Sequence, residues 1–130
     1  MSTAPGLPVV LSVPAHPSYL RLVRLVVASM AADAGYDFDT VEDLRIAADE
    51  LINTVMSVTK AGGLVSITVQ LLDGELSVSS SSTAEADHAS VVVDPLAAQI
   101  LAALVDDSSF EVRGTEVAAG FRKAAPAATA

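Results

Sequence analysis

Apolar residues recur along this chain with two different periods. Val65, Ile67, Val69 and Leu71 alternate with Ser66, Thr68 and Gln70, the period-two pattern of a strand with one buried face. Asp73-Gly74 comes next as a two-residue hairpin signal, and Leu76 and Val78 continue on the return strand. Upstream, Leu44, Ala48, Leu51, Ile52, Val55 and Val58 fall on one face of a helix expected from about Thr40 to Thr59. Asp39 suits its N-cap, and Glu42 completes a capping-box-like pattern. An earlier helix is expected over 18–34, opened by Pro17 and stopped at Gly35. Its segment YLRLVRLVVASMAA is apolar almost all round, so one side meets the core and another is left for something else. Arg21 and Arg24 share one stripe of it with Ala28.

The remaining pattern is shorter. Val9 to Val13 reads as a strand ended by Pro14 and Pro17. Residues 79–90, SSSSTAEADHAS, read as a polar loop. Asp94-Pro95 opens a third helix with Leu96, Ile100, Leu101, Leu104 and Val105 on its apolar face. Phe110 and Val112 form a strand, Arg113-Gly114 a turn, and Thr115, Val117, Ala119 and Phe121 the last strand. The order β-α-α-β-β-α-β-β predicts an α/β fold of the α+β two-layer sandwich kind. It has a mixed, mostly antiparallel sheet of about five strands with three helices on one face. Residues 1–7 read as a flexible lead, 8–123 as a single domain and 124–130 as a flexible tail.

Composition narrows the chemistry. A chain of 130 residues has room for one domain with a real core. It has no cysteine, and its two histidines, His16 and His88, are far apart. Thiol chemistry is excluded, and a histidine-rich metal site is not expected. With 7 basic and 16 acidic residues the net charge is −9, which disfavours direct nucleic-acid binding. No apolar run approaches a membrane span, and Met1 to Pro8 lacks the features of a secretory signal. A cytoplasmic protein is expected. Seven acids fall between Asp33 and Glu50, either a solvated face or a docking surface for a basic partner. The serine run 79–82 reads as loop composition or as a phosphate acceptor. His88, beside Asp87 and near Glu85, reads as an exposed loop histidine, and His16 before Pro17 as a capping or turn residue.

The string VEDLRIAADELINTVM on the second helix resembles the anti-sigma factor and serine-protein kinase family of the GHKL (histidine-kinase-like) ATPase superfamily. The run Asp43-Leu44-Arg45-Ile46-Ala47-Ala48-Asp49-Glu50 carries the resemblance. PSYLRLVRLVVASM, the Asp-Gly hairpin, the Asp94-Pro95 helix and the closing GTEVAAGFRK add to it. The resemblance implies the histidine-kinase-like ATPase fold. It also implies a Mg-ATP site in which Glu50 is the general base. The asparagine expected four residues later on the metal is Thr54 here, with Asn53 one position early. The family's Asp-x-Gly-x-Gly adenine loop is missing, since no glycine occurs between Gly74 and Gly114. The phosphate loop is missing with it. Glu50, Asn53 and Thr54 are thus either a vestigial nucleotide and magnesium site or plain solvent-facing helix residues.

With those motifs reduced, the resemblance implies an anti-sigma factor that sequesters an RNA polymerase sigma subunit and is released by an anti-anti-sigma antagonist. Nucleotide binding is weak or lost, and no resident cofactor or metal is expected. The resemblance places partner binding at Arg21 and Arg24, of which Arg24 matches better, and implies a homodimer through strand one and helix one. The alternative is an active serine-protein kinase acting on an anti-anti-sigma factor, with Glu50 as base and ATP and Mg²⁺ required. An unrelated small α/β interaction protein is the third reading.

Overall fold

The computed structural model describes residues 7–85 and 94–126. Strand β1 (Val9–Pro14) leads through a 3-10 turn at Pro17–Tyr19 into helix α1 (Leu20–Asp33) and helix α2 (Phe38–Val58). Strands β2 (Leu64–Leu72) and β3 (Glu75–Thr83) form a hairpin. Helix α3 (Pro95–Leu104) precedes a second hairpin of β4 (Asp107–Arg113) and β5 (Glu116–Ala124). The five strands lie in the order β1-β2-β3-β5-β4. Every pairing is antiparallel, so the sheet is not mixed. Helices α1 and α2 connect β1 to its neighbour β2, and α3 carries the chain from β3 to the outer strand β4, so that β5 fills the place between them.

The core lies between one sheet face and the helices. Val65, Ile67 and Val69 of β2, Leu76 and Val78 of β3, and Val117, Ala119 and Phe121 of β5 are buried. Against them lie Val23 and Val27 of α1, Leu44, Leu51, Ile52 and Val55 of α2, and Leu101 of α3. The alternating residues Ser66, Thr68 and Gln70 stay partly accessible on the outer face, as one-sided burial requires.

Local signals explain most element ends. Asp73 and Gly74 have φ of 54° and 76°, the doubly left-handed geometry that a two-residue hairpin wants. Asp94 accepts from the Leu96 N–H at 2.9 Å and caps α3, with Pro95 in its first turn. His16 caps the 3-10 turn through Nδ1, which accepts from the Ser18 N–H at 3.2 Å. Gly35, with φ of 90°, lies just past α1.

Three further expectations are corrected. The cap of α2 is Asp37, not Asp39: its Oδ1 accepts from the Thr40 N–H at 2.8 Å. Asp39 instead lies in the first turn, where a carboxylate favours the positive end of the helix dipole. The serines 79–82 are not loop but part of β3: Ser79 to Ser81 pair with β2 on one side, and all four pair with β5 on the other. The turn between the last strands is Gly114-Thr115, because Arg113 still pairs with Glu116. His88 and Asp87 lie outside the described residues.

Regular bonding also extends past Lys123. Tyr36 donates its hydroxyl to the Lys123 carbonyl at 2.8 Å. The Ala124 N–H reaches Asp106 Oδ2 at 2.7 Å, and the Ala125 N–H reaches the Gly74 carbonyl at 2.7 Å. Burial holds the Tyr36 phenol above its ordinary pKa, which keeps the donor proton in place.

The Asp37 cap gives a first test. Hydrogen bonds from Thr40 hold the Asp37 carboxyl below its ordinary value of 3.8. Its contribution is therefore present above that value and fades as pH falls through the depressed one. Asp37→Ala is expected to lower the thermal midpoint at neutral pH by about a few degrees. Thermal scans by circular dichroism should show the two proteins converging in acid.

Candidate functional site

Helix α2 carries the residues of interest within little more than one turn. Glu50 and Thr54 are half-buried and Asn53 is exposed. The Thr54 hydroxyl donates to the Glu50 backbone carbonyl at 2.9 Å, the turn-back bond that threonine makes inside helices. Its proton is therefore committed to the helix. Among the described residues, the Glu50 side chain has no hydrogen bond or ion pair in the structure. Glu50, Asn53 and Thr54 stand at i, i+3 and i+4 of one helix, as neighbours on its surface.

Thr54 does face a cavity of about 210 Å³. Leu51 and Thr54 of α2, Ala98 and Leu101 of α3, and Ser108, Ser109 and Phe110 of β4 line it. Among the described residues, no ionisable side chain lines it. Neither Glu50 nor Asn53 reaches its wall. Sequence reasoning missed α3 and β4 as walls, because nothing in their spacing tells which side of α2 they close.

The arginines differ from each other as well. Arg21 is exposed on α1. Arg24 Nη1 contacts Asp49 Oδ1 at 2.9 Å and ties α1 to α2, with both side chains 37% exposed. Arg45 pairs with Glu42 one turn away at 2.8 Å. These four residues and Ile46 line a shallow groove of about 210 Å³. Exposed pairs of this kind contribute about 1 kcal/mol or less to stability. The Arg24–Asp49 pair chiefly fixes the direction of a guanidinium that remains reachable from solvent.

Mg-ATP makes definite demands on such a residue set. A magnesium–triphosphate site needs hard oxygens in near-octahedral order and cations or backbone N–H groups around the phosphates. Here Glu50 is not among the described residues that line the cavity, and the Thr54 hydroxyl beside it donates to a backbone carbonyl. No group of three or more His, Asp or Glu side chains converges among the described residues. The end of α2 is instead held structurally. Thr59 Oγ1 donates to the Val55 carbonyl at 2.7 Å and lies 2.7 Å from Ser82 Oγ. Glu85 accepts from the Ala61 N–H at 3.1 Å. Among the described residues, no helix is long and apolar enough to cross a membrane.

Comparison with known proteins supports the resemblance carried by the second helix. No family model matches the chain. The serine-protein kinase RsbW of Listeria monocytogenes (serotype 4a, strain HCC23) is 38% identical over 65 residues, which is 49% of this chain and 41% of that one. RsbW of Bacillus subtilis (strain 168) is 37% identical over 71 residues, 52% of this chain and 44% of the relative. The chain thus spans less than half the length of these curated relatives. A crystal structure of the RsbU and RsbW domains of a Mycobacterium tuberculosis protein superposes with a TM-score of 0.73. That match is 17% identical and covers 94% of this chain and 33% of the other. It shows the fold alone. Over half its length this chain is a homologue of proteins named RsbW, and nearly all of it has the fold of a chain that contains an RsbW domain.

Proposed function

We propose that this chain, a homologue of the RsbW serine-protein kinases over half its length, is an anti-sigma factor that works without nucleotide. In this reading it binds and sequesters an RNA polymerase sigma subunit. An anti-anti-sigma protein competes for the same face and releases it. The protein acts in the cytoplasm as a homodimer, with no direct contact to nucleic acid or membrane. The observation that carries the proposal is the wall of the cavity beside Thr54, to which the described residues contribute aliphatic, aromatic and hydroxyl groups but no ionisable one. Phosphoryl transfer depends on positioning and charge stabilisation around the phosphates, and the described residues of that wall offer neither a cation nor a carboxylate. The Arg21–Arg24 side of α1 is the proposed partner surface. A guanidinium can hold a partner carboxylate through two parallel bonds.

The second reading, an active kinase on an anti-anti-sigma factor, draws on one observation: Glu50 is present and its carboxylate is unpaired among the described residues. The two readings separate in one experiment. Calorimetric titration with Mg-ATP is expected to show no heat of binding, while a purified sigma subunit binds equally with and without nucleotide. ATP-dependent capture would return the kinase. Arg24→Glu is expected to weaken sigma binding by about tenfold or more, as loss of an interfacial charge pair does. Asp49→Ala, which removes the internal partner and leaves the guanidinium, is the control. Equal losses in both variants would mean that the pair only braces the helices.

A further inference from the structure

Strand β4 turns Ser108 and Phe110 toward the helices. Ser108 pairs with Phe121 and Phe110 with Ala119. Both partners are buried, and residues directly opposite each other share a face of the sheet. Phe110 is half-buried against the core, yet Ser108 stays exposed on that same face. The helix over this corner is α3, which is short and buries only Ala97 and Leu101. The room it leaves beside Ser108 is the cavity of about 210 Å³.

Leu51, Leu101 and Phe110 give this cavity an apolar wall, and Thr54 and Ser108 add hydroxyls. A mostly apolar hollow with a few polar groups is the usual form of a small-molecule site. The two hydroxyls differ in what they can offer. Thr54 donates its proton to the Glu50 carbonyl, so toward a ligand it can only accept. The Ser108 hydroxyl has no hydrogen bond among the described residues and can do either.

We propose that this cavity binds a small, neutral aromatic molecule carrying one N–H or O–H donor. Volume sets the size. An apolar cavity of about 150 Å³ holds benzene, so one of about 210 Å³ holds a ring system of roughly nine non-hydrogen atoms. A flat ring lies well against Phe110, with its donor directed to Thr54. Charge is selected against. A carboxylate or ammonium that enters loses its hydration and meets no opposite charge among the described residues of the wall.

Such a ligand touches α2, α3 and β4 at once. It fastens α3, the helix that buries the fewest residues among those described. The proposal uses the same cavity wall as the nucleotide-free reading, but it needs no sigma subunit.

A nuclear magnetic resonance titration of the nitrogen-15-labelled 130-residue chain with indole tests it. Indole has the required size, one N–H and no charge. Saturable shifts are expected at the amides of Leu51, Thr54, Leu101 and Phe110, with a dissociation constant of about 1 mM or tighter. The thermal midpoint is expected to rise with indole concentration. Benzoate, of similar size but charged, is expected to bind at least about tenfold more weakly.

Two variants fill the space from opposite sides. Ala98 lines the cavity from α3 and is itself exposed, so Ala98→Leu adds volume there without displacing packed atoms. Ser108→Ile does the same from β4, with a residue that suits a strand. Each is expected to weaken indole binding at least about tenfold, and a variant counts if it keeps its circular dichroism spectrum. No saturable shift with indole, shifts centred elsewhere, or benzoate binding as tightly as indole overturns the proposal. So does binding that both folded variants leave unchanged. Mg-ATP, titrated separately, tests the nucleotide-free reading. Shifts at the cavity with both Mg-ATP and indole sink that reading and leave this one, and shifts with neither sink this one and leave that.

Discussion

Replacing Ile52 by alanine is expected to cost about 2–5 kcal/mol of stability, the range for deleting a buried branched aliphatic side chain. Ile52 is fully buried and belongs to the single core cluster between helices and sheet. Helix α2 is the element that touches α1, α3, β3 and β5. A void on its inner face cannot be closed by shifting one neighbour alone. Interiors packed at crystal-like density relax only partly around such voids. The thermal midpoint is expected to fall on the order of 10 °C. The urea midpoint should fall with an unchanged slope, since the surface exposed on unfolding is nearly the same. Ile46 on the same helix, 48% exposed, is the comparison: Ile46→Ala is expected within about 0.5 kcal/mol of the parent. Similar losses at both positions would mean that the burial pattern of α2 is wrong.

That contrast also shows what the chain reveals before folding. The apolar stripe Leu44, Ala48, Leu51, Ile52 and Val55 was legible because helical periodicity and burial have the same cause. The same holds for the Asp73-Gly74 hairpin and the Asp94-Pro95 helix start, each a local backbone preference. The serines of β3 were not legible. Serine has little strand preference of its own, and these strand positions are decided by neighbours on both sides. Ser80 is buried, and its hydroxyl donates to the Ala119 carbonyl at 3.2 Å. That bond removes the cost of a buried polar group, yet it depends on β5, which is 39 residues away.

The candidate site divides in the same way. Glu50, Asn53 and Thr54 could be placed on a helix from sequence alone. The bond that spends the Thr54 hydroxyl is a consequence of helical spacing too. The cavity beside Thr54 is a tertiary fact, made by α3 and β4 closing over α2. So is the Arg24–Asp49 pair, whose members are 25 residues apart on two helices. Each depends on neighbours outside helix α2, which a motif read along one helix does not carry.

Gly120→Ala is expected to destabilise the protein, against the general trend for removing a glycine. Such a change gains about 0.4–1 kcal/mol where the backbone accepts it, by restricting the unfolded chain. Gly120 lies in β5, opposite Ser79 of β3 and Ser109 of β4. A Cβ there would lie 2.8 Å from the Val78 carbonyl oxygen and 3.4 Å from the Ser79 Cα. Both are backbone atoms of a central strand, so neither can swing aside like a side-chain end. Forcing atoms into such a place costs about 1–3 kcal/mol, which outweighs the entropic gain. The sheet would have to widen between β3 and β5, next to Ser80 and its bond to Ala119. Gly120→Val separates the two effects. If contact with Val78 sets the cost, valine is worse than alanine despite its higher strand preference. Chemical denaturation of the three proteins checks the order glycine, alanine, valine from most to least stable. Valine at or above glycine would mean that β3 and β5 give way at this point, and that the trough Gly120 forms with Ser77, Ser79 and Ser109 on the outer face is soft rather than fixed by the backbone.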